Sequence, residues 1–138
     1  MITMTSWEKA DALENRCLQF AKRVRAFIRS VPNRTISFDE RDQVARSSQS
    51  IGANYIEARE AVSRPDFLYR IKICRKEAKE TAYWIDCLFD QKTFCEMPDI
   101  IFLKKEIHEI ISIFSAIAIT TEKSLKVKNG KSQMANGK

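Results

Sequence analysis

KICRKEAKETAYWIDCL, residues Lys72–Leu88, decides how the chain is read. At about 100° per residue, Ile71, Cys74, Ala78, Thr81, Ile85 and Leu88 recur at 3,4 spacing and form the stripe that a helix buries against its own bundle. A quarter-turn or more away lie Tyr69, Ile73, Trp84 and Cys87, with Glu77 and Glu80 set among them, while Lys72, Lys76 and Lys79 form a third, basic strip. One apolar face suffices for a bundle core, and a second implies a partner. Tyr69, Ile73, Glu77, Glu80, Trp84 and Cys87 are therefore the candidate oligomer interface.

The same periodicity extends outward in both directions. From Ser6, a suitable N-cap, Leu13, Cys17, Phe20, Val24, Phe27 and Val31 make an unbroken 3,4 stripe that Pro32 stops. Ser37 and Glu40 have the spacing of a capping box, in which serine oxygen and glutamate carboxylate each take a free backbone N–H, so a second helix starts there. Its inner stripe is Val44, Ser48, Ile51, Tyr55, Ala58 and Val62, and Gly52, costly in a helix by about 1 kcal/mol against alanine, points to a close-packed neighbour. Ser63, Arg64, Pro65 and Asp66 break the chain before the third helix; Pro98 and Asp99 repeat the signal before a fourth, with Ile100, Leu103, Ile107, Ile110, Phe114 and Ile117 inward. Ile101, Ile111, Ile113 and Ile119 widen that apolar surface. Helices are expected near 6–31, 37–62, 65–89 and 98–126, with 90–97 a loop onto which Phe94 folds. Short connections return each helix beside the last, giving an all-α, single up-down-up-down antiparallel four-helix bundle over residues 1–126 and a disordered basic tail over 127–138.

With 138 residues, three glycines and three prolines, few long elements are possible. No apolar run reaches the ~18 residues of a membrane span, and IISIFSAIAI at 110–119 reads as a core helix. The first residues carry no basic region followed by an apolar block, so a cytoplasmic protein is expected, with Cys17, Cys74, Cys87 and Cys95 reduced and no membrane partner. The net charge of +6 divides unevenly: Lys126, Lys128, Lys131 and Lys138 meet no acid after residue 125, which leaves +2 for the body. Nucleic-acid binding therefore has to come from local clusters, and Lys22, Arg23, Arg25 and Arg29 on helix one with Lys72, Lys76 and Lys79 on helix three are the candidates.

Chemistry has little to build on. His108 is the only histidine, no phosphate-cradling glycine loop is present, and the cysteines lack CxxC spacing. Glu57 with Glu60 and Glu77 with Glu80 are spaced as in bundle metal sites, but the di-metal pattern needs Glu-x-x-His on two helices, which helices two and three lack. No catalytic, cofactor or metal site is expected, and the chain is read as a non-enzyme.

SIGANYIEAREA at 50–61, the Ser-Arg-Pro-Asp-Phe break, and KEAKETAYWIDCL at 76–88 together resemble the bacterial four-helix bundle family related to the ribosomal RNA intervening-sequence proteins. The resemblance spans roughly residues 15–120 and implies a ring-like homopentamer without an established enzymatic role. A more distant branch, accessory proteins of diversity-generating retroelements, implies work with nucleic acid. The expectation is a self-assembling interaction or scaffold protein whose partner is itself; the alternative is an RNA- or DNA-binding accessory module that uses the basic clusters and the tail.

Overall fold

The computed structural model describes residues 3–90, 94 and 97–136. Four helices form: α1 (Ser6–Ser30), α2 (Phe38–Arg59), α3 (Arg64–Leu88) and α4 (Pro98–Asn136), with no strand among the described residues. Cross-helix pairs such as Arg59–Asp11, Thr81–Ser47, Lys72–Glu122 and Arg23–Asp99 join the start of one helix to the end of its neighbour, as an up-down-up-down bundle requires. α1 packs on α2 and α4, α3 packs on α2 and α4, and α1 and α3 occupy opposite corners.

Each helix begins for a local reason. The first N-cap is Thr5 and not Ser6: its hydroxyl accepts from the Glu8 amide, and the Glu8 carboxylate takes the Thr5 N–H, because only the earlier residue has its glutamate partner three places on. Ser37 and Glu40 make the expected capping box. Ser63 caps α3 with Pro65 and Asp66 in the first turn. The end of α1 is closed by a residue that no pattern announced. The Arg41 guanidinium donates to the carbonyls of Ile28, Val31 and Pro32 at 2.6, 2.9 and 2.8 Å, satisfying the free acceptors of that helix terminus.

The core follows the 3,4 stripes closely. Cys17, Phe20, Val24, Phe27, Val44, Ile51, Tyr55, Ile71, Cys74, Ala78, Ile85, Ile100, Leu103, Ile107, Ile110 and Phe114 are all buried. Edge-to-face rings pin it at two levels, Tyr55 on Phe114 at 5.5 Å and Phe27 on Phe89 at 5.1 Å, and Phe94 folds onto Phe89 as expected. Burial lifts the Cys17 and Cys74 thiols to about 12, so neither is a reactive thiolate at neutral pH. Cys87, in contrast, is exposed, and Cys95 lies outside the described residues.

Three expectations need correction. Val62 is 94% exposed and lies beyond the end of α2, since its N–H is taken by the Asp66 carboxylate, which turns the chain into α3. In α4 the buried stripe passes through Ala118 and Thr121, with Ile117 half-buried beside it. That helix also runs past residue 126 to Asn136, because lysines propagate a helix once it is formed and one interior glycine, Gly130, does not stop it.

Gly52 sits where α2 approaches α1, and a Cβ built there would meet Cys17 Cβ at 3.4 Å, an ordinary contact. Gly52→Ala should therefore raise stability by up to about 1 kcal/mol in urea denaturation, through helix propensity, while Gly52→Leu, which has no room to extend toward Cys17, should lower it. Across the α1–α4 seam, Arg16 forks onto Glu106, with Nη2 to Oε1 at 2.5 Å and Nε to Oε2 at 3.0 Å, and also reaches Glu109. Hydrogen bonding to Arg16 holds the Glu106 carboxyl below its ordinary 4.5. Its contribution to stability is complete above that value and is lost as pH falls through the lower folded-state value. Acidification from about pH 5 to 3 should thus cost the wild type more stability than Arg16→Gln, measured by urea midpoints.

Candidate functional site

Beside the buried stripe of α3 lie the six residues that the sequence singles out as a candidate interface. Because Ile71, Cys74, Ala78 and Ile85 fix the rotation of the helix, Tyr69, Ile73, Glu77, Glu80, Trp84 and Cys87 fall together on the side toward α2 and solvent. The structure brings these six residues onto one stripe with different depths. Glu77 is buried, Ile73, Glu80 and Trp84 are half-buried, and Tyr69 and Cys87 are exposed. Trp84 leans on the core while its neighbour Tyr83, 61% exposed, packs edge-on against it at 5.7 Å.

Arg46 of the same chain organises this stripe. Its Nη2 donates to Glu80 Oε1 at 2.6 Å, and Nη1 lies 3.6 Å from Glu77 Oε2. The Trp84 indole N–H also points at Glu80 Oε1, 3.4 Å away. Deeper in the seam, the Thr81 hydroxyl donates to the Glu77 carbonyl at 2.8 Å and lies 2.9 Å from Ser47 Oγ. Glu77 Oε2 is left buried with no hydrogen-bond donor among the described residues. Arg59, farther along α2, binds Asp11 and Glu14 on α1 and stacks on Trp7.

Two grooves flank α1. One, about 440 Å³, lies against α2 and is walled by Leu18, Ala21, Gly52, Ala53 and Ile56 with Asp11 and Glu14 at its rim. The other, about 580 Å³, separates α1 from α4 and is lined by Met4, Leu13, Phe67, Ile113 and Ile117.

The basic candidates do not form one surface. Lys22, Arg25 and Arg29 are exposed on α1, whereas Arg23 pairs with Asp99 at 3.6 Å and stacks on Phe102. Lys72, Lys76 and Lys79 are on α3, at the opposite corner, and Lys72 binds Glu122 at 2.6 Å. His108 is exposed on α4, where its backbone carbonyl accepts from Ser112. Among the described residues, no three His, Cys, Asp or Glu side chains converge to hold a metal, and no helix is long and apolar enough to cross a membrane.

An all-α four-helix bundle is the class that the fold defines. The family model of the 23S rRNA-intervening sequence proteins matches residues 7–116, and the chain belongs to that family. A crystal structure of a protein of unknown function from the S23 ribosomal protein family of Bacteroides thetaiotaomicron is similar, with TM-score 0.69 and 31% identity over 77% of this chain and 97% of that one. No curated protein sequence matches.

Arg46 is nearly half exposed, so solvent screens its pairing, and its main effect is to neutralise the buried Glu77. Arg46→Met should cost about 1 kcal/mol, and combining it with Glu77→Leu should recover most of the loss. A double-mutant cycle in urea checks this coupling.

Proposed function

We propose that the chain is a self-associating scaffold, built to assemble copies of itself into a ring and not to catalyse a reaction. The observation that carries this reading is the set of aromatic and apolar side chains left uncovered on one side of α3, exposed Tyr69 and Tyr83 beside half-buried Ile73 and Trp84. A second copy docked over them would cover the aromatics, the residue types that most often dominate interface energies.

A ring closes only if each copy offers two different complementary patches. The α1–α2 groove is the second patch. Leu18 and Ile56 are about half exposed at its walls. Five is the order that the family resemblance implies.

Light scattering after gel filtration at micromolar concentration tests the reading. The wild type should run at a multiple of its 16.0 kDa chain mass. Tyr69→Lys with Tyr83→Lys, and separately Ile56→Lys, should give folded monomers, each interface losing about 2 kcal/mol or more. Mixed together, the two variants should form heterodimers, because each retains the patch that the other lacks. A monomeric wild type overturns the proposal.

A further inference from the structure

We infer that the groove between α1 and α4 is a binding site for a carboxylate with an apolar body, a fatty acid of medium chain length. The groove shares no lining residue with the α3 stripe or with the α1–α2 groove, and the inference does not depend on self-association.

The groove exists because α1 offers little to α4 near its start. Over its first two turns the residues of α1 that line the space are Ser6, Lys9, Ala10 and Ala12, too small or too polar to fill it. Ile113 and Ile117 on α4 therefore stay half-buried. At one end the seam is closed by Arg16 on Glu106 and Glu109, and toward the other the walls are Met4, Phe67 and Ile117. From Arg16 to Ser6 the α1 wall is roughly 15 Å long at 1.5 Å per residue. The volume of about 580 Å³ falls in the range of small-molecule sites.

Polar groups select the occupant. Tyr55, 5% exposed, lines the groove from α2, and its hydroxyl has no hydrogen bond to a described residue yet is not sealed from the open space. Burial pushes that hydroxyl above its ordinary 10, so it remains a proton donor at neutral pH. A plain hydrocarbon laid over it would strand the donor, which is why the ligand has to bring an acceptor. Lys9 is exposed at the mouth without an ion pair to a described residue, and no acid is among the described residues that line the groove. Two free donors and no competing carboxylate favour an anionic acceptor, since Arg16, the remaining cation, is held by Glu106 and Glu109. The α1–α2 groove is also apolar but has Asp11 and Glu14 at its rim, and so it lacks this selectivity. A compact anion would leave the apolar walls of the α1–α4 groove in water, whereas a fatty carboxylate covers the walls and meets the donors.

Isothermal titration calorimetry on the full chain with decanoate, dodecanoate and dodecyltrimethylammonium, each below its micelle concentration, tests the site. Dodecanoate should bind saturably, one per chain, and about tenfold more tightly than decanoate, because two further methylenes leave water. Dodecyltrimethylammonium should bind at least about tenfold more weakly than dodecanoate, since its cation meets Lys9. Tyr55→Phe should weaken dodecanoate by about tenfold or more without lowering the urea midpoint, because the hydroxyl has no partner in the free protein. Lys9→Glu should weaken it similarly, whereas Lys22→Glu, the same charge change roughly 20 Å farther along α1, should alter affinity less than about twofold. Absence of saturable binding by the wild type, equal binding of the cationic amphiphile, or unchanged affinity in Tyr55→Phe or in Lys9→Glu overturns the inference. So does a fall in molar mass by light scattering when dodecanoate is added, which assigns the groove to contact between copies.

Discussion

Burial of one stripe on α3 sets the rotation of that helix, and the rest of the surface chemistry depends on that rotation. Ile71, Cys74 and Ala78 are fully buried and Ile85 nearly so, which leaves α3 no freedom to turn about its axis without exposing a core residue. With the axis fixed, residues two or three positions from the stripe are assigned to the α2 side and residues on the opposite flank to the α4 side. Glu77 and Glu80 go one way, to Arg46 on α2, and Lys72 and Asp86 the other, to Glu122 and Lys104 on α4. A helix of 25 residues carries three environments without any special backbone feature, and no residue among those described has positive φ.

Arginines make that sorting electrostatically asymmetric. Arg16, Arg23, Arg46 and Arg59 each reach from one helix to carboxylates on the next, and their forked geometry lets a single side chain serve two acids. Most of these pairs are partly solvated and add little stability individually. Their larger effect is on placement, since they draw acids toward the α1–α2, α2–α3 and α1–α4 seams. Of the lysines of α3 and α4, single-point cations on flexible stems, Lys72 and Lys104 bind Glu122 and Asp86, while Lys76, Lys79, Lys105 and Lys123 face water.

The fold was legible because each helix carries an unbroken 3,4 stripe and a start signal, and local signals of that kind are read from neighbouring residues. Failures occurred where two segments compete or cooperate. Val62 continues the α2 pattern perfectly yet is lost to the cap of α3, because the Asp66 carboxylate binds its N–H. Arg41 gives no hint in sequence that it will close α1, since the three carbonyls it binds become neighbours only after the chain turns. The α3 stripe was visible as a set, but the identity of its internal cation was not: Arg46 and Arg59 lie on one helix, and only the side each one faces distinguishes them. Grouping basic residues by position along single helices likewise joined α1 with α3, which are diagonal corners.

The two flanks of α3 are well separated. A stripe turned toward α2 can be covered by another copy while the α4 flank stays open, because the angular gap between Trp84 and Lys79 is more than a third of a turn at about 100° per residue. The nearly neutral body has a corresponding advantage, because like-charged copies would repel each other across an interface if the same cations were spread evenly over the surface. Pairing Lys72 with Glu122 and Lys104 with Asp86 removes part of that repulsion within each copy.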